Sequence, residues 1–312
     1  MEKIRKWELL EMDCLVSVFA KVGMVDLLLM LPFVCKSWYQ ASRQPTCWKV
    51  LDLQVFESMG ILFTNRFVST FGVKKFSSMG LLKLLVKLGN GSSVHVILPD
   101  RIAYDELVYI SDNCPALKFL SFPGSNIPKQ TIDSIPSLVC KWKNLEHLHL
   151  EYISHGLPLP KIIEEIGRHC KNFTGISVNG GPIGDEMVSV IVTWLPKLRT
   201  LDLSGIFEVL NIGVYLPKKN LLKILEGCKE LDVLAVRECS QLKIDDEVLK
   251  QASYIKNFKY EVLDDFSDFY SDDYYDFGLD YYGYDGYYDY DDFTNYLEDD
   301  WDDWVTYLPE DM

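Results

Sequence analysis

The sequence has few features of a membrane or secreted protein. Its 312 residues contain no apolar run of about 18 residues, the length that marks a transmembrane helix. The first seven residues lead into acidic positions rather than into an apolar stretch with a cleavage site, so no secretory signal is expected. The eight cysteines include no Cys-x-x-Cys pair, which disfavours a disulfide framework and is typical of a reduced compartment. An intracellular protein of the nucleus, the cytoplasm or both is therefore expected.

Patterns typical of catalytic and cofactor sites are also missing. Gly-rich segments at 89–91 and 179–181 are typical of turns and do not open a phosphate-binding loop. The Asp-rich segment 280–286 lacks the ligand register of a calcium loop. Basic residues are scattered and are not interleaved with stacking aromatics, so neither nucleic acid nor membrane is an expected partner. The sequence favours a non-catalytic protein with no metal and no cofactor.

The first 50 residues predict a small helical module. Apolar residues at 15, 18, 19 and 22 have the i, i+3, i+4, i+7 spacing of one helix face. Gly23 ends this helix, and Pro32 marks a bend or the start of a third helix. Trp38 lies in that third helix, and Trp48 follows the proline that closes the module.

These residues resemble the F-box family. Its pattern is Leu-Pro-x-Asp/Glu-x-Leu-x-x-Ile-Phe, Asp-Leu, Val-Cys-Lys/Arg-x-Trp and Pro-x-Leu-Trp, and the chain follows it at 10–19, 26–27, 34–38 and 45–48. Glu11 replaces the usual proline and Cys47 the usual leucine. An ordinary three-helix cap would explain the helices but not the spacing of the last two motifs.

The F-box resemblance implies a domain at residues 7–50 that binds a Skp-family adaptor and, through it, a cullin. The adaptor-binding residues that it implies are Leu10, Leu15, Phe19, Leu27, Val34, Cys35, Trp38 and Trp48. Some of them must also pack the module's own core, and the sequence does not separate the two roles.

A recurring phrase defines the body of the chain. The form small/Cys-x-x-Leu-x-x-Leu-x-Leu begins at residues 114, 142, 170, 195 and 228, with weaker copies ending at 51/53, 94/96 and 258/260. The second leucine position of this phrase, which we call the anchor, falls at 94, 120, 148, 176, 201, 234 and 258, in steps of 24 to 33 residues. Leucine-rich repeats have periods of about 20–29 residues. We predict an α/β leucine-rich-repeat solenoid at 51–260, with parallel strands inside and helices outside; an irregular α/β domain does not predict the recurrence.

Amphipathic helices are predicted at 81–88, 105–113, 161–169, 185–193, 220–227 and 245–251, and a loop at 54–78. Residues between the inward leucines should form the concave surface, where a target protein would bind. The residues predicted to bind the target are Glu146, His147, His149, Arg199 and Asp202.

Residues 261–312 differ from the rest of the chain. They contain 19 Asp or Glu, no Lys or Arg, and 11 of the 18 tyrosines, whereas the other residues carry 31 basic and 27 acidic side chains. Uncompensated charge and low complexity favour a disordered acidic tail. A passive tail, a partner-binding segment, and a tail that folds back on basic pairs at 74–75 or 218–219 all remain open.

Residues 7–260 together resemble the F-box/leucine-rich-repeat proteins, especially a short plant subfamily. That resemblance implies the substrate-recognition subunit of an SCF-type cullin-RING ubiquitin ligase, which promotes ubiquitination and degradation of a target protein. The alternative is a leucine-rich-repeat scaffold that does not engage a ligase. Neither the target's identity nor the compartment follows from the sequence.

Overall fold

The computed structural model describes residues 10–122, 127–151, 157–179, 181–204, 214–237, 239–240 and 242–260. These residues belong to one compact unit. The predicted acidic tail at 261–312 lies outside the described residues.

The N-terminal module consists of three short helices and two 3₁₀ turns. The second helix begins after Gly23, and both turns contain a proline, which suits the first turn of a helix. The helices are α1 (Met12–Phe19), α2 (Met24–Leu29) and α3 (Lys36–Ser42), and the turns are Leu31–Phe33 and Pro45–Trp48.

Eight parallel strands form the main sheet of the described chain, in the order β1-β2-β3-β4-β5-β7-β9-β11. Three two-residue strands, β6, β8 and β10, form a second parallel sheet. The strands are β1 (Val50–Asp52), β2 (His95–Ile97), β3 (Phe119–Phe122), β4 (His147–Glu151), β5 (Gly175–Asn179), β6 (Gly181–Pro182), β7 (Thr200–Asp202), β8 (Val214–Tyr215), β9 (Val233–Val236), β10 (Cys239–Ser240) and β11 (Asn257–Tyr260).

Helices connect successive strands of the main sheet, as parallel pairing requires. They are α4 (Gln54–Phe71), α5 (Ser78–Gly89), α6 (Tyr104–Asn113), α7 (Lys129–Val139), α8 (Leu159–His169), α9 (Asp185–Trp194), α10 (Lys218–Gly227) and α11 (Asp246–Gln251). The predicted α/β class and the parallel solenoid are confirmed, and the helices predicted after residue 80 lie within three residues of their observed bounds.

One row of side chains crosses the main sheet and forms the centre of the core. Leu51 pairs with Val96, and the same register continues through 120, 148, 176, 201, 234 and 258. The predicted anchor at Val94 is therefore wrong by two residues. Val94 lies before β2, where its carbonyl accepts hydrogen bonds from the backbone N–H groups of Lys118 and Phe119.

The same shared hydrogen bond recurs at the start of most repeats. The carbonyl of Glu146 accepts from the N–H groups of Thr174 and Gly175, and equivalent pairs converge on the carbonyls of residues 49, 118, 174 and 199. Each repeat thus fixes the register of the next, which is the nearest-neighbour coupling expected of a solenoid.

The predicted loop at 54–78 is wrong, because most of it forms α4. Phe56, Phe63 and Phe67 on this helix are buried, and Phe63 packs against Phe76 with ring centroids 5.9 Å apart. The helix is interrupted at Gly60, whose φ of 52° and ψ of −129° fall in a region that glycine adopts readily.

The eight cysteines are free thiols. Cys114, Cys170 and Cys228 are buried at the C-terminal ends of α6, α8 and α10. The Cys170 thiol donates to the carbonyl of Trp142 in the preceding repeat, at 3.3 Å. Burial raises the pKa of Cys170 to about 12 and those of Cys114 and Cys228 to about 11. These thiols therefore stay protonated and pack as small apolar groups.

Candidate protein-interaction surfaces

The N-terminal module has a small core of its own. Leu15, Phe19 and Leu27 expose 2% or less of their surface. The ring of Phe19 meets Trp38 edge to face, with centroids 5.1 Å apart. Trp48, also buried, donates from Nε1 to the carbonyl of Ser42 at 2.7 Å.

The last turn of the module joins it to the solenoid. The carbonyl of Trp48 accepts a hydrogen bond from the buried hydroxyl of Ser93 at 2.9 Å. Gly89 at the end of α5 leaves room for this contact, because an added Cβ would lie 2.5 Å from Ser93 Oγ. Trp48 thus packs the module and also anchors it to the first repeat.

Large apolar side chains remain exposed on the module. Met30, Phe33 and Val34 are 45%, 47% and 57% exposed, and they form what we call the Met30–Val34 patch. Leu10, which lies before α1, and Val18, which lies within it, are also exposed. Exposed apolar residues of this size that lie close together are typical of a protein-binding surface.

A second candidate surface lies on the concave face of the sheet. Side chains there line a depression of about 410 Å³. One row across it is aromatic and consists of His95, Phe119 and His147. The next row is more polar and consists of Ile97, Ser121, His149 and Ser177. Gln54, at the start of α4, also lines the depression.

The rings of the aromatic row stack on one another. Phe119 and His147 are nearly parallel, with centroids 4.7 Å apart and planes at 6°. His95 continues the row at 5.6 Å from Phe119. The next position along the row is Gly175, and a Cβ there would lie only 1.8 Å from His147 Nδ1. Glycine at this position therefore gives the imidazole of His147 its space against the sheet.

Charged side chains directly precede two of the stacked rings in the chain. Lys118 and Glu146 form an ion pair at 2.7 Å between adjacent repeats. Burial lowers the pKa of His147 below its ordinary value, and Glu146 opposes that shift. Burial also lowers the pKa of His95; Asp52 opposes this shift, whereas His149 adds to it. Both imidazoles therefore favour the neutral form at pH 7.

Comparison with known proteins identifies several relatives of this chain. No family model matches the chain. It is 29% identical over 237 residues to an F-box/LRR-repeat protein of Arabidopsis thaliana, covering 75% of this chain and 72% of that protein. The F-box protein FBW2 of the same plant is 27% identical over 261 residues, covering 80% and 73%. The F-box protein SKIP1, also from Arabidopsis thaliana, is 24% identical over 265 residues, covering 77% and 81%.

The chain is related to the F-box/leucine-rich-repeat proteins of plants. The predicted resemblance is confirmed. The F-box motif pattern falls on the N-terminal module, which we therefore call the F-box, and the repeat pattern falls on the parallel sheet and its helices. The bounds and roles of these two domains stay predictions.

The structure divides the eight F-box residues that were predicted to bind an adaptor. Leu15, Phe19, Leu27 and Trp48 lie in the core, so their side chains are not available to a partner in this conformation. Leu10 and Val34 are exposed, and Cys35 and Trp38 are half-buried. Adaptor binding by the exposed and half-buried residues stays a prediction. Met30 and Phe33 are exposed beside Val34 but were not among the predicted residues, because the apolar run around Pro32 is equally typical of a core.

The structure also divides the residues that were predicted to bind a target. His147 and His149 line the depression, whereas the other three do not. Arg199 is exposed just before β7, and the carboxylate of Asp202 accepts a hydrogen bond from the backbone N–H of Ser204 at 3.0 Å. Phe119 was missed, although it occupies the same repeat position as His147 and could have been found by aligning the repeats.

Described residues offer no cluster of three or more His, Cys, Asp or Glu suited to a metal ion. Among the helices of the same ranges, each is too short or too polar to cross a bilayer.

Substituting Gly175 with alanine should expel the His147 ring from its stack on Phe119. The ring is the end of a side chain that can rotate away, so the cost in stability should stay within about 1–3 kcal/mol. The pKa of His147 should rise towards its ordinary value, because the displaced imidazole is better solvated. NMR titration of the imidazole measures this. Gly184→Ala is the matched control, since nothing lies within 4 Å of its added Cβ; an unchanged His147 titration in Gly175→Ala would show that the glycine does not position the ring.

Acidification should destabilise the chain through His95 and His147. Both have a lower pKa in the folded than in the unfolded state, so the unfolded chain binds more protons below about pH 6.5. Their contribution to stability is complete above that pH and is lost as the pH falls through the folded pKa values. Melting curves between about pH 7.5 and 5.5 should show this decline. The variant His95→Gln/His147→Gln should show a weaker dependence, and an identical slope would rule out these two residues as its source.

Proposed function

We propose that this chain is the substrate-recognition subunit of an SCF-type cullin-RING ubiquitin ligase. In this proposal the F-box binds a Skp-family adaptor, the adaptor links the chain to a cullin, and the repeats hold a target protein for ubiquitination and degradation. The chain itself is then non-catalytic, because the transfer of ubiquitin takes place elsewhere in the complex. The observation that carries the proposal is the exposed Met30–Val34 patch on a module related to F-box proteins.

The concave depression is the proposed site for the target. Its volume of about 410 Å³ falls within the range of about 300–1,000 Å³ in which proteins bind ligand groups. Phe119 is 37% exposed, and the hydroxyls of Ser121 and Ser177 lie in the adjacent row. An apolar or aromatic side chain of a target would thus find ring surfaces beside hydrogen-bonding groups.

Reconstitution tests the ligase assignment. The full chain, mixed at micromolar concentration with a purified plant Skp-family adaptor and cullin, should elute with both as one complex in size-exclusion chromatography. Elution of the chain apart from the adaptor would contradict the assignment and would favour the alternative of a repeat scaffold. Proximity labelling in plant cells with and without a proteasome inhibitor should then identify targets, as proteins whose labelling rises when degradation is blocked.

A further inference from the structure

The most exposed large apolar side chains of the described residues lie outside the F-box. Ile61 and Leu62 in α4 are each 73% exposed. They immediately follow Gly60, at which the helix is interrupted. Two adjacent aliphatic residues with so little cover are unlike the single exposed apolar residues that any protein surface contains.

The packing of α4 explains why these side chains point to solvent. Phe63 and Phe67 form the buried face, with ring centroids 5.7 Å apart. Ile61 and Leu62 cannot lie on that face with them, because residues one or two positions apart do not share one side of a helix. The buried face of α4 therefore does not cover this pair.

Contacts connect the exposed pair with the F-box. Leu62 and Arg66 are one helical turn apart and neighbour each other on the helix surface. The guanidinium of Arg66 contacts the sulfur of Met30. At the end of the same helix the ring of Phe71 meets that of Phe33, with centroids 6.3 Å apart. The Met30–Val34 patch thus continues along α4 towards Leu62.

The distribution of exposed apolar residues supports this continuity. Eight of the fourteen large apolar side chains exposed in the described ranges fall between residues 10 and 62. The described residues from 63 to 260, more than three times as many, contain the other six. Apolar exposure is therefore concentrated in the part of the chain that contains the F-box and α4.

Charge indicates what kind of partner surface fits. Residues 53–89 contain five basic side chains and a single acidic one, Glu57. Arg66 is one of the basic residues, and it is exposed one helical turn from Leu62. A partner surface with an apolar centre and carboxylates at its edge complements this face.

We propose that Ile61 and Leu62 extend the adaptor-binding surface of the F-box onto α4, so that a Skp-family adaptor contacts the F-box and the first helix of the repeat region together. This inference rests on the proposed function. It makes the beginning of the solenoid part of the adaptor interface and not of the target interface.

Affinity measurements on the full chain test this inference. The double variant Ile61→Ser/Leu62→Ser should bind a purified Skp-family adaptor at least about tenfold more weakly in calorimetric titration, because serine cannot replace the apolar area that Ile61 and Leu62 would bury against the adaptor. Its melting temperature should stay close to that of the parent chain, since both side chains are already exposed. Leu249→Ser is the matched control, an exposed leucine in α11 far along the repeats, and should bind like the parent.

A charge reversal provides an independent variant. Arg66→Glu should also weaken adaptor binding, because it places a carboxylate opposite the expected acidic edge of the partner. If both variants bind within twofold of the parent chain, the inference is overturned while the proposed function stands. If the parent chain itself does not bind the adaptor, the proposed function fails and the inference with it. If the double variant binds normally but abolishes self-association in sedimentation, the surface joins two copies of this chain, and the inference is again overturned.

Discussion

Replacing Val34 with aspartate is expected to lower the affinity for a Skp-family adaptor by about 100-fold or more, which corresponds to roughly 2.7 kcal/mol. Val34 is 57% exposed within the Met30–Val34 patch, so a partner seated on the patch would bury it. A carboxylate buried there without a counter-charge costs more than the lost apolar contact. The stability of the unbound chain should not fall, because residue 34 lies just before α3, where the helix dipole favours a negative charge.

Titration calorimetry with the purified adaptor measures the effect of Val34→Asp, and circular dichroism shows whether the variant is folded. Leu249→Asp makes the same kind of change at an exposed helical position remote in sequence from the F-box, and should leave affinity unchanged. A folded Val34→Asp variant that binds within threefold of the parent would remove this patch from the interface.

Truncating Phe19 would be a weaker experiment, even though the F-box resemblance assigns it to the adaptor. Phe19 is 2% exposed and packs edge to face on Trp38. Its removal would leave a cavity at a cost of about 3–5 kcal/mol, a large part of the stability of a typical domain. Loss of binding would then report unfolding of the module as readily as loss of a contact.

The repeats were predictable because the same packing requirement recurs in each of them. The inward side chain at the anchor position of each repeat packs against the same position in the adjacent repeats. Leucine or another apolar residue therefore recurs at that position. The error at Val94 shows the limit of this signal. Residues 94 and 96 are both apolar and two apart, and side chains two apart point to the same face of a strand. Only the hydrogen bonds that converge on the Val94 carbonyl distinguish them.

The missed helix α4 has a different cause. Gly60 interrupts it, and polar residues fill much of its exposed face, which together weaken the helical period. Phe56, Phe63 and Phe67 nevertheless have spacings of seven and four residues, which is a helical signal that could have found the second half. The exposed Ile61–Leu62 pair could not have been found in this way, because an apolar residue in a sequence does not show whether it faces the core or a partner.

The division of the F-box residues has the same origin. Amphipathic helices use one kind of residue for the core and for an interface, so the motif identifies the module without assigning each residue to either role. Phe19 and Val34 belong to the same motif pattern, yet one is buried and the other exposed. Burial in the folded chain is what separates them.

Trp48 provides the sharpest test of that separation. Trp48→Ala should lower the free energy of unfolding by about 3–5 kcal/mol, the cost of truncating a large buried aromatic. The indole also loses its hydrogen bond to the Ser42 carbonyl, which is worth about 1 kcal/mol within that range. The packing between the F-box and the first repeat should loosen as well, because the Trp48 carbonyl is held by Ser93.

Urea unfolding of the full chain measures the effect of Trp48→Ala, and two variants serve as comparisons. Ser93→Ala removes only the hydrogen bond to the Trp48 carbonyl and should cost about 1 kcal/mol. Trp194→Ala truncates a half-buried tryptophan that stacks with Arg168 at 5.0 Å and should cost less than Trp48→Ala. If Trp48 instead bound the adaptor directly, as the F-box resemblance implies, Trp48→Ala would lose adaptor affinity while unfolding at the same urea concentration as the parent. That result would require an F-box conformation in which Trp48 leaves the core.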